Sequence, residues 1–441
     1  MASAKRFLDK APNFIKRAYY SLVPFEDRYG KEYKKWNRFL NETLEWIPQQ
    51  LKDYQFYQLR KVIADAYENV PYYHKLMIDY GVKRVIDSPS DISKLPILTK
   101  QLVKDNWDDL INKKYNGRPI LFKTSGSTGE KFQFLGDDNL YKREAAFVDR
   151  AFRLHCSHLY DSRTVWIRRY APKAGDPISY TDYELDRTYM SPFNVSADTI
   201  KDYVKEINRT RAKTLVTYPS LANFMATLMK DQNLTFDFIT AIHCASEMIL
   251  PEWRENVYNS LGIKLYAHYG MMEKVSFFCN VLNEGRYAEN LEYGYTEVVE
   301  GEVIGTGFLN DVMPLIRYTP GDKAIVDDSD DKFLSLPITV KDFIGRSTDM
   351  IQTKDGRKLA GVNFYTMMYK IPGVKMFQII QKSLNDIEVQ FIPSDKYTKS
   401  TESQIIDGMT DRVGSCNLII KPVKELERAQ SGKFKTIKSE F

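Results

Sequence analysis

TLVTYPSLANFMATLMK, residues 214–230, joins a short β-branched run to an amphipathic stretch across one proline. Residues 214–217 are typical of a buried strand, and residues 219–230 place apolar side chains at helical spacing. A strand followed directly by a helix is the repeating unit of a layered α/β core. The alternation continues on both sides, with strands predicted at 164–168, 238–242 and 263–267 and helices at 139–155, 197–208 and 251–260.

The pattern changes on either side of this alternating region. Residues 32–112 show helical periodicity, whereas from residue 292 apolar strands follow one another closely and predict a β-rich subdomain. After residue 345 the pattern restarts as a small α+β unit. Its strands are predicted at 350–353, 374–381, 386–392 and 416–420, and its helix at 401–413.

A chain of 441 residues is too long for one hydrophobic core, so these changes suggest domain limits. We predict the α/β class, with a large layered N-terminal domain at residues 1–345 that includes the β-rich subdomain. Its first part, to about residue 115, is predicted to be helical. A small, mobile α+β lid domain is predicted at residues 346–441.

Composition excludes several classes of protein. The formal net charge is only +5, which gives no case for a dedicated nucleic-acid binder but is compatible with nucleotides. No apolar run reaches the length of a membrane span or of a signal peptide. Four cysteines lie far apart without a CxxC pair, which indicates free thiols and a cytoplasmic protein. They are Cys156, Cys244, Cys279 and Cys416.

The N-terminal segment MASAKRFLDKAPNFIKRAYYSLV mixes basic and aromatic residues, as helices that lie on a membrane surface do. Peripheral membrane contact is the less favoured interpretation of this segment. We expect a helix that packs on its own domain.

The stretch from Lys123 to Lys131, KTSGSTGEK, carries the strongest chemical signal. Its hydroxyls and uncrowded backbone N–H groups can face phosphate oxygens, and glycine permits close approach of the backbone. It is not a Walker A loop, because Glu130 stands where that pattern requires lysine. By itself the stretch also fits a flexible Ser/Gly turn.

Further motifs occur in an order that resembles the adenylate-forming enzymes, and within them the phenylacetate–CoA ligase/CapK-like branch. The resemblance runs from about residue 30 to the C-terminus. The motifs are TSGSTG at 124–129, ASE at 245–247, YGMME at 269–273, RYTPGD at 317–322, GRSTD at 345–349 and SGK at 431–433. The stretches AYENVPYYHKLM at 66–77, LPILTK at 95–100 and VTYPSLANFMATLM at 216–229 point to the CapK-like branch.

The resemblance implies a two-step reaction in which a carboxylate attacks the α-phosphate of ATP and a thiol or an amine then takes the acyl group. It implies that Lys433 contacts the α-phosphate and the carboxylate, and that Glu273 holds Mg²⁺. Tyr269 would face the adenine, Asp322 would bind the ribose and Arg346 the ribose or phosphates. The other implied nucleotide-binding residues are Thr124, Ser125, Gly126, Ser127, Thr128, Gly129, Ser246, Glu247, Gly270 and Met272.

Three residues depart from the family pattern. Met272 replaces a Ser or Thr, which removes one hydroxyl contact to the α-phosphate. Lys131 stands where many members have proline. Thr348 occupies the hinge position, where a residue need only absorb a backbone rotation.

Three functions therefore remain open. The first is an ATP- and Mg²⁺-dependent ligase that uses coenzyme A or an amine, in surface-polysaccharide modification. The second is an amide ligase that joins a uronic acid to an amine without coenzyme A. The third is a degenerate member that binds nucleotide without catalysis, an alternative motivated by Met272. The oligomeric state and the identity of the carboxylate stay open.

The carboxylate pocket is expected near residues 166–170, 217–220, 243–247 and 269–275. Arg168, Arg169 and Tyr170 follow a predicted strand and could meet an anionic substrate, or form ion pairs at the surface. His243 and His268 are expected in the core or pocket wall. Cys244 and Cys279 are expected to be small buried residues and not nucleophiles.

Overall fold

The computed structural model describes residues 8, 11–124, 132–155, 163–168, 170–173, 176–281, 285–346, 350–429 and 432–440. The α-helices are α1 Asn13–Leu22, α2 Phe25–Tyr29, α3 Lys31–Glu42, α4 Pro48–Asn69, α5 Pro71–Asp79, α6 Lys100–Asp105, α7 Leu140–His155, α8 Ile200–Thr210, α9 Pro219–Asp231, α10 Pro251–Leu261, α11 Val362–Lys370 and α12 Lys399–Val413. Short 3₁₀ turns are at Thr43–Glu45 and Pro89–Lys94.

The strands alternate with these helices in the middle of the chain and follow one another from residue 264 onward. They are β1 Ile120–Lys123, β2 Gln133–Gly136, β3 Thr164–Ile167, β4 Ser179–Asp182, β5 Arg187–Met190, β6 Thr214–Thr217, β7 Ala241–Cys244, β8 Lys264–Gly270, β9 Phe277–Asn280, β10 Tyr287–Glu289, β11 Gly294–Val299, β12 Glu302–Gly307, β13 Asp322–Val326, β14 Lys332–Phe333, β15 Leu336–Arg346, β16 Met350–Gln352, β17 Lys358–Ala360, β18 Val374–Gln381, β19 Asp386–Pro393, β20 Asn417–Pro422 and β21 Ile437–Ser439.

One mixed sheet dominates the large part of the chain. Its described strands run in the order β11-β12-β13-β15-β10-β9-β8-β7-β6-β3-β5-β4, and β14 pairs with β15 beside this path. Strands β5, β3, β6, β7 and β8 are parallel, and β9 turns antiparallel on β8. The strands after residue 292 therefore extend the same sheet and do not form a sheet of their own.

The strand–helix pairs of the parallel part explain where loops collect. Helix α9 follows β6, and α10 follows β7, so both loops leave the same edge of the sheet. Strands β3, β6, β7 and β8 are fully or largely buried, as expected for parallel strands covered by helices. In such sheets the crevice at the carboxyl ends of the strands is the usual ligand site.

The C-terminal part has its own sheet, in the order β20-β19-β18-β21, and its own hydrophobic core with α11 and α12. The predicted strands and helix of this region occur within two residues of their expected positions. The predicted division at residues 345 and 346 falls at the end of β15 and stays a prediction.

Helix α1 has no fully buried residue. Phe14 is 72% exposed and Leu22 is 84% exposed. Ile15, Lys16 and Tyr20 are half-buried, and the Arg28 guanidinium lies 5.8 Å from the centre of the Tyr20 ring, so one side of α1 lies against its own domain. By contrast, α3, α4 and α5 bury residues in the core that also holds α7. Across the described chain, no helix combines the length and hydrophobicity needed to cross a bilayer.

Candidate active site

The loops at the carboxyl edge bring together residues that are far apart in sequence. Arg168 follows β3, Tyr218 follows β6, and Ser246 and Glu247 follow β7. Tyr269 lies at the end of β8. The edge that the strand–helix pattern predicts is therefore also the place where the candidate motifs meet.

Tyr269 and Asp322, which were assigned to adenine and ribose, are direct neighbours. The Tyr269 hydroxyl donates to Asp322 Oδ2 at 2.9 Å. The Tyr269 ring stacks on Phe343, with 3.7 Å between centroids and 7° between planes. An adenine ring would therefore use the opposite face of Tyr269. Phe343 was not anticipated, because an apolar residue in a long strand looks like any other core position.

Arg346 lies directly opposite Asp322 in the antiparallel ladder of β13 and β15. The two motifs that the resemblance assigns to the ribose are therefore adjacent through their backbones. The loop before Asp322 is held by Arg317, whose Nε donates to Glu297 Oε2 at 3.0 Å. Gly321 has φ of +84°, a conformation that glycine adopts without strain.

Glu273, the candidate metal ligand, is 4% exposed. Its Oε1 accepts a hydrogen bond from the Tyr318 hydroxyl at 2.9 Å. Within the described residues, no cluster of three or more His, Cys, Asp or Glu could hold a metal by protein ligands alone. A single carboxylate nevertheless suits Mg²⁺, which takes one or two carboxylates and completes its shell with phosphates and water. Glu273 thus fits a metal held together with a nucleotide.

The residues on either side of Glu273 are fixed by other contacts. Gly270 leaves no room for a side chain without displacement, since a Cβ there would lie 3.1 Å from Phe277. Met272 Sδ lies 3.8 Å from the Tyr141 hydroxyl. Lys274 is 2% exposed and pairs with Glu144 at 2.5 Å. Met272 therefore has a protein contact where the family has a hydroxyl.

Glu247 connects the large part of the chain to the C-terminal tail. Its Oε2 accepts from the Ser220 N–H at 3.2 Å, and its Oε1 accepts from the Phe434 N–H at 2.7 Å. Gly432 packs so closely on Pro192 that a Cβ would lie 2.6 Å from its Cγ. Lys433, between these two anchored residues, is therefore held beside the carboxyl edge.

Buried His243 and half-buried His268 form a stacked group behind the edge. His243 Nε2 and His268 Nδ1 are 2.8 Å apart, and Phe152 stacks on His243 at 3.7 Å. Burial is the main cause that lowers the pKa of His243 well below its usual value and that of His268 to about 3. These imidazoles are neutral, as expected for wall residues.

The cysteines behave as expected. Cys244 and Cys279 are buried and free, and burial raises the pKa of the Cys279 thiol to about 11. A thiol with a raised pKa is a poor nucleophile.

Part of the predicted site lies outside the described residues. These positions are Ser125, Gly126, Ser127, Thr128, Gly129 and Lys131 in the phosphate loop, Arg169, and the hinge residue Thr348. Thr124 is described, and its N–H donates to the Phe132 carbonyl at 2.9 Å. Lys123 lies opposite Gln133 in the β1–β2 ladder, which holds the two ends of the phosphate stretch together.

Residues 351–440 match the family described as the CapK C-terminal domain. The resemblance to CapK-like adenylate-forming enzymes is confirmed. Protein CapK of Staphylococcus aureus is 24% identical over 387 residues, which cover 85% of this chain and 84% of that protein. The CapK-like resemblance therefore extends well beyond the small C-terminal sheet.

Solved structures share the fold at low identity. 2-Hydroxyisobutyryl-CoA ligase in the postadenylation state with 2-HIB-AMP has a TM-score of 0.65 at 13% identity, over 88% of this chain and 89% of that chain. The same ligase with 2-HIB-AMP and CoA in the thioesterification state has a TM-score of 0.56 at 14% identity, over 90% of this chain and 91% of that chain. Anthranilate CoA ligase AuaEII with anthranoyl-AMP has a TM-score of 0.53 at 15% identity, over 73% of this chain and 66% of that chain. The predicted α/β fold, with its small C-terminal domain, is confirmed.

Proposed function

We propose that this protein is an ATP-dependent ligase that activates a carboxylate as an acyl-AMP. The observation that carries the proposal is the placement of Lys433. The contacts of its two neighbours hold it beside Glu247, at the edge where Tyr269 and Asp322 form a hydrogen-bonded pair. A lysine cation, a ribose acceptor and an aromatic face at this edge would provide the groups that acyl-AMP formation requires, and this supports the proposal.

The reaction would proceed in two steps. In the first, a carboxylate oxygen attacks the α-phosphate, the bond to the β-phosphate breaks, and pyrophosphate leaves. Lys433 would stabilise the charge that develops on the phosphate and carboxylate oxygens. Asp322 would orient the ribose and Tyr269 the adenine, while Glu273 would hold Mg²⁺, which neutralises phosphate charge when bound.

In the second step a nucleophile attacks the acyl carbon and AMP leaves. The relatives with solved structures are CoA ligases, which supports a thiol acceptor. The CapK-like motifs of the sequence motivate the alternative, in which a uronic acid is joined to an amine in surface-polysaccharide modification. We propose CoA as the first acceptor to test and a cytoplasmic location, where ATP is supplied.

Pyrophosphate release tests the proposal. Purified protein with ATP, Mg²⁺ and a panel of carboxylates should release pyrophosphate with at least one acid. Lys433→Ala should lower this rate about 100-fold or more, as expected when one group that stabilises transition-state charge is removed. Lys435→Ala, at a lysine two residues away, is the matched control and should retain activity.

Two further readouts separate the alternatives. Added CoA should yield a thioester, whereas a product formed only with an amine would favour the amide ligase. If no carboxylate supports release and calorimetry still shows ATP binding, the protein is the degenerate, nucleotide-binding member.

A further inference from the structure

Arg168, at the carboxyl edge, forms no ion pair with any acidic side chain in the part of the chain that the structure describes. Its Nη2 donates to Ser246 Oγ at 2.8 Å, and its guanidinium carbon lies 4.8 Å from the centre of the Tyr218 ring. Its Nε is buried and has no hydrogen-bond partner within the described residues. A buried donor without a partner is costly, so this group is suited to a ligand.

The surroundings of Arg168 indicate the chemistry of that ligand. Tyr218 also contacts Gly432, whose added Cβ would lie 3.3 Å from the ring, so Arg168 is one aromatic ring away from the segment that carries Lys433. The wall behind contains neutral His243 and His268. Glu247, the carboxylate of the same loop, directs its two oxygens to backbone N–H groups and forms no ion pair with Arg168. The unpartnered Nε of Arg168 is therefore open to an acceptor on a ligand.

We propose that Arg168 binds a second anionic group of the acid substrate, a carboxylate or a phosphate distinct from the carboxylate that is activated. This rests on the proposed function and narrows its substrates to acids with two negative groups. Guanidinium recognises both anions by paired hydrogen bonds, and Ser246 orients one of its nitrogens.

Matched acids test this proposal. Glutarate and its monomethyl ester differ by one carboxylate, and glucuronate 1-phosphate and glucuronate differ by one phosphate group. In each pair the acid with the second anionic group should have a kcat/KM for pyrophosphate release about 10- to 100-fold higher, the amount a hydrogen-bonded charge contributes. Arg168→Gln should abolish the preference and leave the KM for ATP unchanged, and Arg168→Lys should restore part of it.

Arg163→Gln is the control, because Arg163 precedes β3 at the opposite end of the strand and pairs with Asp186. If Arg168→Gln lowers kcat/KM equally for both acids of each pair, or raises only the KM for ATP, the proposal is overturned. Calorimetric titration of the protein with the four acids, without ATP, measures binding and needs no turnover. Binding that Arg168→Gln abolishes supports the site even if no pyrophosphate forms, and absence of binding of all four acids contradicts it.

A second, independent observation concerns α1. On a helical wheel Phe14, Ala18 and Leu22 fall on one face with Tyr19 beside them, and this face is the exposed one. Half-buried Ile15, Lys16 and Tyr20 lie toward the protein, and exposed Arg17 flanks Phe14. The helix thus leaves an apolar strip with a basic neighbour exposed, although a helix that packs only on a core turns its apolar residues inward.

Charge identifies the partner for this face. Residues 1–25 contain five Lys or Arg and one acidic residue, Asp9. Arg17 is exposed beside this face, and three further basic residues precede the helix in sequence. An apolar strip in a basic segment matches an anionic bilayer, which accepts both the rings and the charges. We infer that α1 docks on an anionic membrane surface, with Phe14 and Leu22 inserted between headgroups.

Vesicle co-sedimentation of the full chain tests this inference. The protein should bind vesicles of phosphatidylglycerol and phosphatidylcholine, bind pure phosphatidylcholine far less, and lose binding at high salt. The double variant Phe14→Glu, Leu22→Glu should not bind. Ile47→Glu, at an apolar residue that is 63% exposed at the start of α4, is the control and should bind normally.

Two outcomes would overturn the membrane inference. One is equal affinity for neutral and anionic vesicles. The other is self-association, detected by light scattering, that the double variant abolishes while no vesicle binds, since the face would then be an interface between two copies of the chain.

Discussion

Glu247 has a role that its motif position did not predict. The resemblance assigned it to the nucleotide, yet both its oxygens accept backbone N–H groups, one from the start of α9 and one from Phe434. Two charge-assisted hydrogen bonds to backbone amides hold the segment that contains Lys433. Its chemistry is therefore to position the lysine, which it can do whether or not it also contacts nucleotide.

Glu247→Ala should release the tail while leaving the fold intact. We expect faster hydrogen exchange at residues 432–440 and a loss of pyrophosphate release smaller than that of Lys433→Ala. Glu255→Ala, at an exposed position of α10, is the control. Unchanged exchange in the tail would show that Glu247 does not hold it.

Some of the candidate site could be anticipated residue by residue, and some could not. Tyr269 and Asp322 are 53 positions apart, but each lies in a motif with a known order, so their meeting was predictable. Arg428 carries no such signal, although its guanidinium lies 5.5 Å from the centre of the Phe434 ring and partial burial lowers its pKa. Its partners come from a tail whose path over the large domain cannot be read from local pattern.

At the scale of elements, periodic segments were predictable and irregular ones were not. Strand β6 and helix α9 were expected within one residue, because apolar spacing changes sharply at Pro219. Strand β7 was expected three residues too early, since Phe238 resembles a strand residue but is 41% exposed. The strands β4 and β5 were missed, because their sequence is polar and is held by pairing to β3, which is a tertiary effect.

An ion pair whose two side chains are fully buried connects helix α7 to the sheet. Arg150 Nη1 donates to Glu292 Oε1 at 2.7 Å, and Thr43 donates to the same oxygen. Burial opposes ionisation of Glu292, but Arg150 and its hydrogen bonds bring the net pKa of this carboxyl below its usual value.

Arg150→Met should therefore lower the free energy of unfolding by about 3–5 kcal/mol, because it leaves a buried carboxylate without its partner. The double variant Arg150→Met, Glu292→Leu removes both charges and should recover much of this loss. Urea unfolding measures the free energy of unfolding of the single and of the double variant. A single variant as stable as the wild type would mean that water or relaxation replaces the pair.

The histidines of α7, β7 and β8 predict how the free energy of unfolding changes at acid pH. Burial, followed by nearby positive charge, lowers the pKa of His268 to about 3, while burial lowers that of His155 to about 4. An unfolded histidine titrates near 6.5, so below that pH the unfolded chain binds more protons. The stability that these imidazoles contribute is complete above about pH 6.5 and falls as the pH drops toward their folded values.

His268→Phe should remove one part of this dependence. Between pH 6.5 and 5 the wild type should lose about 2 kcal/mol more than the variant, at about 1.4 kcal/mol per pH unit. Urea unfolding at both values measures the difference, with the exposed His74→Phe as control. Equal slopes in wild type and His268→Phe would show that His268 does not resist protonation in the folded chain.

For the whole molecule, the relation between the two sheets bears on the order of the reaction. The ion pair of Lys375 on β18 with Asp231 at the end of α9 joins the two parts in this arrangement, and Glu247 accepts from the Phe434 N–H next to Lys433. Under the proposed function, this arrangement serves the first step, in which Lys433 lies at the edge, and we expect the C-terminal part to move for the second.

A reversible lock tests this movement. Asp231→Cys together with Lys375→Cys places one thiol on each part, and a short bismaleimide cross-linker with a cleavable disulfide can then join them. Cross-linked protein should still release pyrophosphate in a single turnover, because the first step uses the observed arrangement. It should fail to form the thioester or amide, and dithiothreitol, which cleaves the linker, should restore product formation, since only the released protein can rearrange. Each single cysteine variant, treated with the same reagent, controls for loss of the ion pair and for modification at other cysteines. Full-rate product formation by the cross-linked double variant would mean that one arrangement serves both steps and that the acceptor enters beside Lys433 without any domain motion.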